Sequence, residues 1–216
     1  MTWLLFDYGN VISFPQPPQA VQRLAGAAGA TVADFSPGYW QYRLAYDHAK
    51  LDAHGYWQRV GESLGRTFSA ADIARLTSLD NDSWLDLNPG TVSLVQDLAA
   101  SDGNRLALLS NAPAEVARAV MALPVAALFE HCLFSCFLRL IKPDPAIFRA
   151  VLDRLGASAA DVIFLDDRPE NVAGAAEVGI RGVVFTDPGT ARAELARRGV
   201  VTVSTSSPGS KSASSD

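Results

Sequence analysis

Four short apolar runs along the chain each end in polar residues. Trp3–Phe6 ends at Asp7, Leu106–Leu109 at Ser110 and Asn111, Val162–Leu165 at Asp166 and Asp167, and Gly182–Phe185 at Thr186 and Asp187. Runs of about 4–8 apolar residues without alternation suit strands buried on both faces, as in a parallel sheet. A further apolar stretch, Phe137–Ile141, leads to Lys142 in the same way. Between the runs the spacing becomes helical. Asp144 stands as N-cap with Pro145 at the first helical position. Ile147, Phe148, Val151, Leu152 and Leu155 then share one face, and Gly156 closes the segment. Thr91–Ala100 and Pro169–Val178 read as helices too, the second closed by Gly179. Strands alternating with helices predict an α/β fold, a parallel sheet flanked by helices with right-handed crossovers.

The stretch 14–88 departs from this pattern. Pro15, Pro17 and Pro18 mark its entrance and Asn88-Pro89-Gly90 its exit, and no buried strand lies between. Helical segments are expected around Ala20–Ala28, Asp34–Asp47, Tyr56–Leu64 and Ala70–Leu79. Ser69-Ala70-Ala71-Asp72 has the form of a capping box before the last of these. The pattern therefore predicts a discontinuous core, residues 1–13 and 89–203, interrupted by a helical insertion over 14–88. The last segment, 204–216, is nearly free of apolar residues and is expected to be disordered.

Composition narrows the classes of function. Of 216 residues, 49% are hydrophobic, enough for a packed core. With 18 Lys+Arg against 23 Asp+Glu the net charge is −5 and no basic stripe stands out, so nucleic acid is not an expected partner. No apolar run approaches the ~20 residues that span a bilayer, and Met1–Ile12 lacks the basic start of a signal peptide. A cytoplasmic protein without membrane contact is expected; nothing in the composition fixes an oligomeric state. Cys132 and Cys136 lie among Leu133, Phe134 and Phe137, which reads as a strand. Four residues along a strand span ~13 Å, too far for a disulfide, so both thiols are expected to be reduced.

In an open α/β sheet, ligands bind beyond the carboxyl ends of the strands. That is where Asp7, Ser110 and the pair Asp166-Asp167 fall, and Lys142 is placed to join them. Clustered carboxylates repel unless a cation lies between them, and hard oxygen ligands suit Mg²⁺. Such an ion would neutralise and orient a phosphoryl group. Ser110 and Lys142 would hold the remaining phosphoryl oxygens, and Asp7 could act as a nucleophile that forms an aspartyl-phosphate.

Taken together, LLFDYGNVI (Leu4–Ile12), LLSN (Leu108–Asn111), IKPD (Ile141–Asp144) and FLDDRPEN (Phe164–Asn171) resemble, in order, the four motifs of the haloacid dehalogenase-like (HAD) hydrolase superfamily. The resemblance implies a Rossmann-like core with the insertion as a C1-type helical cap. It implies Asp7 as nucleophile and magnesium ligand, with the Gly9 carbonyl, Asp166 and Asp167 as further ligands. It implies Ser110, Asn111 and Lys142 as phosphate binders and Asn171 as a residue supporting the metal ligands from behind. The FDxGNV form is similar to a branch that includes α-glucose-1-phosphate phosphatases. Many members carry a second Asp two residues after the nucleophile as general acid; here that position is Gly9.

The insertion concentrates aromatic residues. Packing is the expected role of Trp40 and Trp57, whereas Tyr42, Arg43, Tyr46 and His48 combine apolar bodies with polar tips and are expected to face the site and set specificity. Asp47 or His48 could supply the proton that Gly9 cannot. The expected activity is Mg²⁺-dependent hydrolysis of a small phosphorylated metabolite, a sugar phosphate included. Two alternatives stand beside it. One is a metal-independent 2-haloacid dehalogenase, against which the paired acids argue. The other is a non-catalytic phosphometabolite-binding protein, supported only by Gly9.

Overall fold

The computed structural model of the chain describes residues 1–200. The end of the expected core, 201–203, and the expected disordered tail, 204–216, lie outside them. Five parallel strands form one sheet in the order β3-β2-β1-β4-β5. They are β1 (Thr2–Phe6), β2 (Asn104–Ser110), β3 (His131–Phe134), β4 (Val162–Asp166) and β5 (Arg181–Val184). Leu4 pairs with Leu106 on one side and Ile163 on the other, so β1 is the central strand. The register brings the ends of β1, β2 and β4 together, and Asp7 N donates to Leu165 O at 2.8 Å.

Alternation along the strands divides the core into two layers. Leu4, Phe6, Leu106, Leu108, Ile163 and Leu165 pack with residues of α5 (Pro89–Ala99) and α6 (Ala114–Met121). Trp3, Leu5, Leu109, Val162 and Phe164 pack on the other face with α8 (Pro145–Leu155) and α9 (Pro169–Ala176). Each strand is apolar on both sides because each face is covered. The signals around α8 act as expected: Asp144 Oδ1 accepts from Ala146 N at 2.9 Å, and Gly156 takes a left-handed φ of 56°. The chain ends its described part with α10 (Pro188–Arg197). No helix among the described residues is long and apolar enough to cross a membrane.

Between β1 and α5 lie α1 (Pro18–Ala27), α2 (Val32–Asp47), α3 (Ala53–Ser63) and α4 (Ala70–Ser83). They enclose their own apolar cluster, centred on Leu24, Phe35, Tyr56, Trp57, Val60 and Leu76. Ser69 and Asp72 form the capping box that opens α4. The two crossings from core to insertion lie side by side, with Phe14 N donating to Asp86 O at 2.8 Å and Asn88 N to Ile12 O at 2.9 Å.

One expectation fails. Phe137–Ile141 is not a strand, and Cys136 does not share a strand with Cys132. The strand is His131–Phe134, followed by the helical turn α7 (Ser135–Leu138) and by Arg139 at φ 54°. A short apolar run reads alike as a buried strand or a buried helical turn, and nothing in its period separates the two. The Ser135 hydroxyl anchors the turn, donating to Asp47 O at 2.6 Å and accepting from Ala112 N at 3.0 Å. Both cysteines are free.

Candidate active site

The turn after β1 sets the position of Asp7. Asp7 is buried, and its Oδ1 accepts from Tyr8 N at 2.7 Å and from Lys142 Nζ at 2.8 Å. Its Oδ2 has no partner among the described residues. Burial pushes the Asp7 carboxyl up to about 8, helped by Asp166 and opposed by the Lys142 ammonium. Lys142 is buried as well, and all three of its donors are engaged. They reach Asp7 Oδ1, Asp166 Oδ2 at 2.6 Å and Leu109 O at 3.0 Å. Burial works against its charge, yet the two carboxylates outweigh that and hold the ammonium above its usual range.

Asp166 is saturated. Its Oδ1 accepts from Arg168 N at 2.9 Å and Asn171 Nδ2 at 2.9 Å, and its Oδ2 from Lys142 Nζ and, at 3.0 Å, from Asn171. Asp167 is half-buried, and its Oδ2 accepts from Asn10 Nδ2 at 2.9 Å. Burial raises its carboxyl despite that bond. One oxygen from each of Asp7, Asp166 and Asp167 lies within 4.8 Å of the others.

Ser110 is buried at the end of β2, with no hydrogen bond to its hydroxyl among the described residues. Asn111 lines the cavity and also holds the Lys142 backbone. Its Nδ2 donates to Lys142 O at 2.9 Å and its Oδ1 accepts from Lys142 N at 3.0 Å, which fixes the lysine backbone. Gly9 and Asn10 complete the β1 turn. A methyl at Gly9 would meet Trp84 at 3.7 Å, ordinary contact, so neither space nor a left-handed φ requires glycine there. Asn10 does sit at a left-handed φ of 60°, a conformation asparagine tolerates.

A cavity of about 330 Å³ opens over these groups. It is lined on the core side by Asp7, Ser110, Asn111, Lys142, Asp167 and Asn171 among others, and on the insertion side by Trp40, Arg43, Leu44, Asp47 and Trp84. Of the four expected specificity residues only Arg43 lines it. Tyr46 stacks on Tyr56 with centroids 4.4 Å apart and gives its hydroxyl proton to Glu115 at 2.8 Å. His48 Nε2 meets Arg139 O at 3.0 Å, and Tyr42 packs against the insertion's own core. Trp57 packs as expected, but Trp40 is 54% exposed and belongs to the cavity. The expected helix is α2, on which residues three and four apart, Trp40, Arg43, Leu44 and Asp47, share the face over the site. Choosing by polar tips rather than by this period picked out Tyr42, Tyr46 and His48, which do not line the cavity.

Arg43 is buried in a network of its own. Its Nε donates to Asp47 Oδ1 at 2.8 Å, and its Nη1 to both Asp80 oxygens at 3.1 and 3.0 Å and to the Tyr39 hydroxyl at 2.7 Å. Burial pushes the Asp47 carboxyl up to about 6, against the pull of Arg43 and with a smaller push from Asp80. Asp80, Asn10, Leu44 and Trp84 escape the sequence reading; only Asn10, inside the first motif, carried a local signal.

The fold has counterparts. A family model described as haloacid dehalogenase-like hydrolase matches residues 4–179. The chain is 28% identical over 189 residues to (S)-2-haloacid dehalogenase 4A of Burkholderia cepacia, covering 83% of this chain and 80% of that protein. It is 31% identical over 180 residues to phosphoglycolate phosphatase of Rhodospirillum rubrum, covering 73% and 74%. Among solved structures, a HAD family enzyme of Bacteroides thetaiotaomicron in complex with magnesium and inorganic phosphate superposes with a TM-score of 0.70 at 21% identity, over 86% of this chain and 94% of that one.

Proposed function

Since the chain belongs to the haloacid dehalogenase-like hydrolases, we propose that it is a Mg²⁺-dependent phosphomonoester hydrolase acting on a small phosphorylated metabolite through an aspartyl-phosphate on Asp7. The observation that carries this reading is the charge at the sheet end. Three carboxylates meet one ammonium, and Asp7 Oδ2 and one oxygen of Asp167 have no partner among the described residues. These are hard oxygen donors, the set that suits Mg²⁺. Asp7 and Asp167, with the Gly9 carbonyl, would hold the ion. Asp166 instead anchors Lys142, because all its bonds are taken by Lys142, Asn171 and the Arg168 amide. When bound, the ion offsets negative charge on the transferring phosphoryl group.

The chain's own groups divide the remaining work. Asp7 Oδ2 attacks phosphorus while Lys142 and Tyr8 N hold Oδ1, so one oxygen of the carboxylate is fixed and the other is presented. The Ser110 hydroxyl donates to a phosphoryl oxygen. The alcohol leaves, and water then cleaves the acyl phosphate. Gly9 offers no proton to the leaving oxygen. Asp47 is the carboxyl on the insertion side of the same cavity, raised to about 6 by burial, and it supplies that proton and later takes one from the water.

The phosphatase relative supports this class of reaction. The dehalogenase relatives favour a competing reading, attack of Asp7 on carbon in a 2-haloacid. A haloacid carboxylate would need a cation; Lys142 and Arg43 each already sit between two carboxylates, and Arg168, the third cation of the cavity wall, is turned to Glu170 in an exposed pair. The deciding measurement offers p-nitrophenyl phosphate and 2-chloropropionate with Mg²⁺ or with EDTA. Phosphate release that needs Mg²⁺, without halide release, is expected; halide release undiminished by EDTA overturns the proposal.

A further inference from the structure

A second cavity, of about 270 Å³, lies inside the insertion beside the catalytic one. The two share Asn10, Trp40 and Trp84 in their walls. The remainder of the second wall comes from the Pro15–Gln16 entrance, from Val21 and Leu24 of α1, and from Phe35, Ser36 and Tyr39 of α2. No charged side chain lines it. Its polar groups are largely turned to one another: Gln16 Nε2 donates to the Tyr39 hydroxyl at 3.0 Å and to Ser83 Oγ at 2.7 Å, and Tyr39 donates to Asp80 at 2.6 Å. The exception stands in the shared wall, where the Trp84 Nε1 proton is buried without a hydrogen-bond partner.

Resting on the phosphatase reading, we propose that this second cavity is a subsite for the part of the substrate remote from the phosphate, and that this part is uncharged and apolar or aromatic. The contrast between the two cavities carries the argument. The catalytic cavity holds ionisable groups on its floor, whereas the second offers only aliphatic and aromatic surface with neutral polar groups. A carboxylate or second phosphate placed there would lose its water and gain no cation. An apolar group loses nothing and removes Trp40, the large exposed aromatic of the shared wall, from water. Substrates made only of a phosphate and a short carboxylated stub leave the subsite empty.

The test holds leaving-group chemistry constant and varies the far end. Primary-alkyl phosphates are compared with Mg²⁺ present: ethyl, 4-phenylbutyl, 6-phenylhexyl and 5-carboxypentyl. Burial of the ring predicts kcat/KM for the better phenylalkyl ester about 30- to 100-fold above ethyl phosphate, and no gain for the carboxylate-ended chain. Ser36→Phe and Val21→Phe fill the cavity from two different helices, and either should bring the phenylalkyl-to-ethyl ratio back towards one. Equal rates for ethyl and both phenylalkyl esters overturn the subsite, as does an undiminished ratio in a folded filling variant. A binding arm separates this failure from failure of the phosphatase reading. Titration of 4-phenylbutanol against the intrinsic tryptophan fluorescence needs no turnover. Saturable binding lost in the filling variants supports the subsite even if every phosphate ester proves inert; absence of binding overturns it.

Discussion

Two buried cations face each other across the catalytic cavity, each clamped between two aspartates. In the core, Lys142 lies between Asp7 and Asp166; in the insertion, Arg43 lies between Asp47 and Asp80. The arrangements look alike in charge and differ in what they leave over. The core clamp leaves Asp7 Oδ2 unbonded at the cavity, on a carboxyl whose other oxygen is fixed by a backbone amide and an ammonium. The insertion clamp adds the Tyr39 hydroxyl and both oxygens of Asp80, and Arg43 also lies 5.5 Å from the Tyr39 and Trp84 ring centres. In the mechanism we propose, one clamp prepares a nucleophile, and the other fixes the helix that lines the cavity with Trp40, Leu44 and Asp47. Ion pairing by itself does not mark a catalytic residue; an oxygen held in place yet still unpaired does.

The sharpest way to break this comparison is Asp7→Asn. The shape is kept and the proposed nucleophile is lost, so turnover should fall by roughly 10⁴-fold or more, as when a covalent nucleophile is removed elsewhere. Thermal unfolding should shift far less than activity. Phosphate release that survives the substitution and EDTA would remove the core clamp from the chemistry. The next effect belongs to Asp47. With Asn there, hydrolysis of alkyl phosphates should fall by about 10²–10⁴-fold, the usual yield of a positioned acid, and aryl phosphates should lose much less because their leaving groups need no proton. In the proposed mechanism protonated Asp47 is the donor, so at saturating Mg²⁺, which favours the ionised form of Asp7, the chemical step for an alkyl ester should decline as pH rises through about 6, and this limb should vanish in Asp47→Asn. Equal losses for alkyl and aryl esters, with the limb intact, would return Asp47 to a purely structural place beside Arg43.

The two clamps were unequally legible in the chain. Asp7, Ser110 and Asp166 follow apolar runs, and a parallel sheet sends such positions to one edge, so pattern alone brings them together. Lys142 was placed by the apolar stretch before it as well as by its motif, although that stretch is the end of a helical turn followed by irregular chain and not a strand. The insertion has no comparable rule. Its helices were readable from caps and proline boundaries, but which face of α2 meets the core depends on packing with α3, α4 and α6. Asp80 sits on α4, 37 positions from Arg43, and no local spacing announces that the two meet. Asn111 and Asp166 show a finer limit. Their place at the site was legible, while their hydrogen bonds to Lys142 were not.

A smaller effect tests how tightly the core clamp is held. Gly174 in α9 faces the loop that carries Lys142, and a Cβ there would lie 2.1 Å from Pro143 O. Backbone cannot yield as a flexible side chain does, so Gly174→Ala should push the lysine loop away from α9. A displacement of about 1 Å in catalytic geometry costs on the order of 10²-fold in rate, and overpacking of this kind about 1–3 kcal/mol in stability. Measured kcat and denaturant unfolding should show both. Unaltered turnover would mean that the position of Lys142 tolerates movement and that its grip on Asp7 matters less than its geometry implies.

The smallest expected change in turnover comes from the insertion clamp, and its stability change is the informative reading. Asp80→Asn keeps the volume and an acceptor for Tyr39, but it removes the charge that balances Arg43 from the α4 side. Asp47 remains, so Arg43 is not stranded, and the cost should fall at or below the ~3–5 kcal/mol typical of a broken buried pair. Unfolding should therefore begin at lower temperature, while kcat on a small ester such as ethyl phosphate stays within a few fold of the parent below that temperature. The reason is geometric: Asp80 does not line the catalytic cavity and reaches it only through Arg43, whereas Asp7 and Asp47 both line it. A loss of turnover in Asp80→Asn as deep as that in Asp7→Asn, with thermal unfolding unchanged, would show that the two clamps share one catalytic task and that their difference in leftover hydrogen-bonding capacity has no functional meaning.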